Sequence, residues 1–310
     1  MTEHTLLSVK DLKTYFYTTM GTVKAVDGVS FTLKAGEALG LAGESGCGKS
    51  VTCLSILRLV PRPAGRIVGG KVIFEGEDLL TKEPSEMRQW RGSKISMILQ
   101  DPLMSLDPVY TIGNQVAEAF HLDRIKQGVR QRVIDVLSSV KIPSAAERLN
   151  SYPFQFSGGM RQRTVAAIAI ARSPKLLIAD EPTTSLDVTI QAQFLKLLKE
   201  IQQQNRMALI LVSHDLSIVA EICDRIAIMY AGRIVESGTV KRVYENPGHP
   251  YTQALMQAIP RLGGKKKRLF QIEGEPPNMA RLPAGCHFHP RCYKAMDICR
   301  AEYPPIFDVE

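Results

Sequence analysis

The sequence predicts an α/β fold: a parallel core sheet flanked by helices, an antiparallel β layer ahead of it, a helical insertion and a small C-terminal region. Three observations carry this. From Leu176 onward strand and helix patterns alternate, as "KLLIAD", "IQAQFLKLLKEIQQQ", "ALILVSHD" and "IAIMY", which implies parallel strands joined by covering helices. The stretch "EALGLAGESGCGKSVTCLSILRLV" is a short apolar strand, a glycine-rich loop and an amphipathic helix in succession. The chain opens with "LLSVKDL", "YFYTT" and "TVKAVDGVSFTL", strand patterns punctuated by Gly21 and Gly28.

Between these parts, residues 111–150 are rich in helix formers and charge, as in "IGNQVAEAF" and "VRQRVIDVLSSV", and read as the insertion. After "ENPGHPYTQALMQAIP" prolines and glycines thicken, marking the C-terminal region. A chain of 310 residues holds one large domain with an appendage or two modest ones, and 45% hydrophobic content supplies a sizeable core. The start, "MTEHTLLSVKDLK", has no basic stretch followed by an apolar one, and runs such as "MALILV" fall short of the ~20 residues that cross a bilayer. The expectation is a soluble, cytosolic chain. Six cysteines make no disulfide scaffold, and in a reducing compartment clustered thiols are more often metal or redox groups. The net charge of +8 has one dense focus, "KKKR" at Lys265–Arg268, read as a solvated linker.

"GESGCGKS", Gly43 to Ser50, fits the phosphate-loop pattern G-x-x-x-x-G-K-[ST] in its strand-loop-helix context. Gly43, Gly46 and Gly48 allow the backbone to approach an anion, and the N–H groups at the helix start cradle phosphates. Lys49 reaches the β- and γ-phosphates and the Ser50 hydroxyl ligates Mg²⁺. The expected nucleotide contacts are Gly43, Glu44, Ser45, Gly46, Cys47, Gly48, Lys49, Ser50 and Val51. Cys47 is a small loop residue, or a thiolate activated by the helix N-terminus.

"KLLIADEP" is an apolar strand ending in two carboxylates. Burying such a pair without cations is costly, so Asp180 is read as an Mg²⁺ ligand, direct or through water, and Glu181 as the base that polarises an attacking water. "ISMILQ" delivers Gln100, a candidate for Mg²⁺ or the lytic water, and "ALILVSH" delivers His214, a candidate for the γ-phosphate. Open parallel sheets place ligand contacts at such carboxyl ends. In "FSGGMRQR", Ser157 is a good N-cap, and Gly158 and Gly159 leave N–H groups bare at the start of a helix, which makes a second anion site.

Taken in order, "GESGCGKS", Gln100, "FSGGMRQR", "LLIADEP", "SLD" and "SHD" resemble the nucleotide-binding subunits of ATP-binding-cassette (ABC) transporters. The resemblance implies a P-loop NTPase cassette over residues 1–250, with a helical subdomain at about 101–160, and an extension over 251–310. It implies that Ser157, Gly158 and Gly159 serve the γ-phosphate of ATP held by an opposite subunit, so that two chains sandwich two ATP molecules head to tail. It also places Asp187 of "SLD" at the nucleotide, and Phe16, or its neighbours Tyr15 and Tyr17, on adenine. Met160 stands where many members have glutamine. "RGSKISMILQDPLMSLDPVYTIGNQVAE" and "ENPGHPYTQALMQAIP" look like the subfamily that powers dipeptide and oligopeptide importers, members of which also move nickel, glutathione and some sugars.

The implied activity is ATP hydrolysis driving two membrane permease subunits, with a second ATPase subunit (a paralogue or a copy of this chain) and an extracytoplasmic solute-binding protein, at the cytoplasmic face of the membrane. A soluble ABC protein acting on ribosomes or DNA is the alternative, disfavoured by one phosphate loop and no heptad run; nucleic acid is not an expected partner.

"GCHFHPRCYKAMDIC" holds Cys286, Cys292 and Cys299. Related peptide-importer subunits carry such a tail with a fourth cysteine further on, holding a [4Fe–4S] cluster; here none follows Cys299. The readings are a sequence cut short, His287 or His289 as the fourth ligand, zinc in place of the cluster, or three packing cysteines. An iron–sulfur electron carrier would use this tail and leave the cassette idle. The expectation is an iron–sulfur cluster lying away from the ATP site, since none of its ligands comes from a strand end of the cassette.

Overall fold

The computed structural model describes residues 5–121, 127–184, 186–259 and 270–308; the Lys265–Arg268 run and Ser185 of "SLD" lie outside them. Among the described residues the strands in chain order are β1 (Thr5–Thr18), β2 (Gly21–Lys34), β3 (Ala38–Ala42), β4 (Gly65–Phe74), β5 (Glu77–Asp78), β6 (Ile95–Ile98), β7 (Leu176–Asp180), β8 (Ala208–Ser213), β9 (Arg225–Tyr230) and β10 (Arg233–Thr239). The chain divides into two compact units. One takes Lys34–Ala38 and Lys82–Val212, the other Thr5–Leu33, Leu39–Thr81 and Ser213–Glu310.

The first unit contains the parallel strands β8-β7-β6. Leu176 pairs with Ile95 on one side and Ala208 on the other, and every residue of β7 is buried. A strand covered on both faces needs an unbroken apolar run, which is why "LLIA" shows no alternation. Each such Leu or Ile contributes on the order of 1.5–3 kcal/mol by leaving water. Helices at Ile112–His121, Val129–Ser139 and Gly158–Ile170 fall in or beside the expected insertion. Ile112 and Val116 are buried on the first, Val133 and Leu137 on the second, and Val165, Ala166 and Ala169 on the third. Gly113 is needed there: a Cβ would come within 2.7 Å of the Leu149 carbonyl. Helix Val188–Gln204 buries Phe194, Leu195, Leu197, Leu198 and Ile201 at helical spacing.

The second unit holds an antiparallel sheet of order β2-β1-β4-β5, the β layer anticipated from the opening residues. The two expected strands "LLSVKDL" and "YFYTT" are one strand, β1, with a register shift against β4 between Lys10 and Lys13. At the shift Asp11 adopts φ 48°, and Gly70 opposite leaves room for it, since a Cβ there would sit 2.5 Å from the Asp11 carbonyl oxygen. A bulge of this kind breaks the period-two pattern without ending the strand. In the same unit β3 pairs parallel with β9, and β9 antiparallel with β10. Helix Leu216–Ile222 packs closely on β3: a Cβ on Gly40 would lie 2.3 Å from Val219.

Candidate nucleotide site

The loop Gly43–Ser50 joins β3 to helix Lys49–Ile56 in the second unit. Two of its glycines are required by geometry. Gly43 has φ 151° and Gly48 φ 106°; a Cβ would lie 2.2 Å from the Met229 carbonyl oxygen at the first and 2.2 Å from that of Ala25 at the second. These close approaches press the loop against its own unit and leave Ser45 and Gly46 exposed, with Ser50 and Val51 half-buried. Lys49 is only 5% exposed, and its Nζ donates to the carbonyls of Gly43 at 2.8 Å and Glu44 at 3.0 Å. A buried ammonium held by loop carbonyls, beside the N-terminus of a helix, is an arrangement that attracts polyanions. Burial pushes the Cys47 thiol pKa up, against the opposing charge of Lys49, which favours the small-residue reading over an activated thiolate.

Of the aromatic candidates for the base, Phe16 is half-buried opposite Gly65, where a Cβ would meet its ring at 2.8 Å. Tyr15 donates its hydroxyl to Asp27 at 2.7 Å, and burial with that acidic partner raises its pKa to about 12. Tyr17 is 49% exposed with the Arg66 guanidinium over its ring. His214, also in this unit, is exposed one residue beyond β8, between the Ser213 hydroxyl and the helix capped by Asp215.

In the first unit the two acids separate in environment. Asp180 ends β7 and is buried, while Glu181 is half-buried at φ 44° with its N–H donating to the Val212 carbonyl at 3.0 Å. The pair is thus not buried together, as the sequence suggested. Ile98 pairs with Ala179, so Gln100 falls level with Glu181 across the parallel pair, and its Nε2 donates to Glu181 Oε2 at 3.1 Å. Thr184 Oγ1 donates to the same oxygen at 3.2 Å. A partly solvated carboxylate oriented by an amide and a hydroxyl can accept a proton from, or align, a water.

Ser157 caps helix Gly158–Ile170, accepting from the Met160 N–H at 3.3 Å, and is exposed. Gly159 lets this helix start approach Ile190, whose Cγ2 would be 2.6 Å from an added Cβ. Asp187 caps the helix that carries Ile190, accepting from its N–H at 3.0 Å. Ser157, Gly159 and Asp187 therefore belong to one local arrangement of two capped helices.

The family model for "ABC transporter" matches residues 26–184, just over half of the chain. The chain belongs to the ABC transporter family. A second model, "Oligopeptide/dipeptide transporter, C-terminal region", matches residues 235–299. The chain is 48% identical to the dipeptide transport ATP-binding protein DppD of Bacillus subtilis, over 96% of this chain and 90% of that protein. It is likewise 48% identical to DppD of Escherichia coli strain K12, over 97% and 92%. Among solved structures, an ATP-binding cassette in a dimeric post-hydrolysis state bound to ADP and Pi superposes with a TM-score of 0.67. That match has 23% identity and covers 76% of this chain and 98% of the other, and it speaks for the fold alone. The cbiO1 subunit of the Clostridium perfringens ABC transporter complex cbiONQ gives 0.66 at 26% identity, over 79% and 92%. Among the described residues no helix is long and apolar enough to cross a membrane.

The family's C-terminal region does not have the character expected from its cysteines. Cys286 is buried, and Cys292 and Cys299 are half-buried. Burial first, then the neighbouring Cys299 and Cys292 thiols, raise the Cys286 pKa. Yet among the described residues no three His, Cys, Asp or Glu side chains converge to hold a metal ion. His287 Nδ1 lies 3.2 Å from the Ala231 carbonyl oxygen, and His289 Nδ1 2.9 Å from that of Cys286. An iron–sulfur or zinc site is therefore not supported among the described residues.

Arg291, in the short 3₁₀ turn His289–Arg291, reaches Glu44 of the phosphate loop. Spacing gave no sign of this contact, because the partners are 247 residues apart.

Proposed function

We propose that this chain is the ATP-hydrolysing subunit of an importer for dipeptides or oligopeptides. The observation that carries the reading is the match to dipeptide transport ATP-binding proteins at 48% identity over nearly the whole chain, cassette and C-terminal region together. On this reading residues 1–250 form the cassette, with a helical subdomain at about 101–160, and 251–310 the extension characteristic of peptide importers. ATP is the substrate, its phosphates taken by Gly43–Ser50 with Lys49 as the cation. Phe16 offers its ring to adenine. Ser50, Asp180 and Gln100 are oxygen donors suited to Mg²⁺, a hard cation that screens phosphate charge when bound. Glu181 orients the attacking water and His214 faces the γ-phosphate. Ser157, Gly158, Gly159 and Asp187 serve the nucleotide of a second ATPase subunit. The chain then works at the cytoplasmic face of the membrane, beside two permease subunits and a solute-binding protein.

Deleting the gene should abolish uptake of a labelled dipeptide, and plasmid-borne wild type, but not a Lys49→Ala variant, should restore it. Unchanged peptide uptake in the deletion strain, with ATPase activity retained by the purified protein, would redirect the assignment to another solute.

A further inference from the structure

Glu44 is anchored from three sides within the second unit. Its backbone N–H donates to the Tyr251 hydroxyl at 2.9 Å, and its carbonyl accepts from Lys49 Nζ. Its carboxylate takes two parallel bonds from Arg291, at 2.7 Å from Nη1 to Oε2 and 3.0 Å from Nη2 to Oε1. The Arg291 side chain is 5% exposed, so this bidentate pair works in a poorly solvated setting where such bonds are strongest. The hydrogen bonds to Glu44 come first among the causes that raise the Arg291 pKa, so the guanidinium is charged throughout the working range.

Arg291 is itself fixed. Its Nε donates to the Glu273 carbonyl at 3.1 Å, Nη1 also reaches the Tyr230 hydroxyl at 3.4 Å, and its N–H bonds to the Phe288 carbonyl at 3.0 Å. Phe288, 1% exposed, packs against Tyr230 and Tyr251 with ring centroids 5.1 and 5.3 Å apart. The C-terminal region thus presents a rigid arginine and, through the same aromatic cluster, the tyrosine that holds the Glu44 N–H.

We propose that Arg291 is a positioning residue for nucleotide binding, acting through Glu44. The pair neutralises a carboxylate that would otherwise repel phosphate at the loop, and it holds the Gly43–Glu44 carbonyls that orient Lys49. The proposal rests on the reading of Gly43–Ser50 as the ATP site. It gives the C-terminal extension a task in that site.

The test is titration of the full-length protein with Mg²⁺ and a fluorescent ATP analogue, alongside steady-state ATPase kinetics and thermal unfolding. Arg291→Gln should raise the Kd about tenfold, the scale of one charge-assisted hydrogen-bonded pair. It should raise KM for ATP by a similar factor with kcat at saturation near wild type. Arg291→Lys, which keeps the charge but loses the fork, should recover part of the affinity. Glu44→Gln probes the same link without altering an enclosed side chain. In its background Arg291→Gln should cost markedly less, because the ion pair and one arm of the fork are already gone. Wild-type Kd in both Arg291→Gln and Glu44→Gln, or an Arg291→Gln penalty that persists undiminished with Glu44→Gln, overturns the proposal. Failure of the wild-type protein to bind the analogue would instead overturn the assignment of the loop as a nucleotide site.

Discussion

Glu181→Gln tests the chemistry most directly. The substitution is isosteric, and the glutamine carbonyl can accept the hydrogen bonds that Gln100 Nε2 and Thr184 Oγ1 now give to Oε2. The backbone at φ 44° is the same for either side chain, so that cost, about 1–2 kcal/mol for a non-glycine residue, cancels. Stability should therefore change by less than about 0.5 kcal/mol, as for a substitution that breaks no buried contact. On the proposed reading, what is lost is the negative charge that attracts the proton of the attacking water. Removing such a base lowers the rate by ~10²–10⁴, equivalent to about 2.7–5.5 kcal/mol on the barrier. The assay is ATP turnover with the permease partners present, paired with equilibrium nucleotide binding and a thermal melt. Turnover within about threefold of wild type, with binding intact, would refute the role of Glu181. A collapsed melting transition would refute the claim that the site is built independently of the charge.

Gly48→Ala should lower stability by more than about 1 kcal/mol and weaken ATP binding, because its φ of 106° is joined to a clash with the Ala25 carbonyl. Gly46→Ala, at φ 78° but with nothing within 4 Å, should lose less; chemical denaturation of the two variants ranks them. Ser157→Arg should leave ATP affinity of the isolated chain unchanged while abolishing ATP-dependent dimerisation, read by light scattering; equal loss of affinity in the monomer would place the Ser157 site within one chain. Burial alone would raise the Asp27 pKa, but hydrogen bonds from Tyr15 and Arg233 outweigh it and hold it below its ordinary 3.8. A depressed carboxylate stabilises the fold fully above the unfolded value and loses that contribution as pH falls through the folded one. The melting-temperature gap between wild type and Asp27→Asn should thus be constant from about pH 5 to 7 and narrow below about pH 4.

The sequence by itself determined the local chemistry of this protein. Gly43–Ser50 reads as a phosphate loop because its glycines, lysine and serine fall within eight consecutive residues, and strand-loop-helix context is a short-range property. The apolar run of β7 and the cap at Ser157 were legible for the same reason. The single bulged strand β1 was not, because its continuity depends on β4 across the sheet, with Gly70 making room for Asp11. Tertiary structure alone decided which distant groups meet. Parallel register sets Gln100 beside Glu181, and folding of the C-terminal region sets Arg291 on Glu44. It also decided that three closely spaced cysteines do not converge with a histidine into a ligand set. Spacing along a chain limits which side chains can meet, but outside regular elements it does not aim them. In this tail, with only a 3₁₀ turn and one short helix, direction comes from packing against Tyr230, Tyr251 and the phosphate loop.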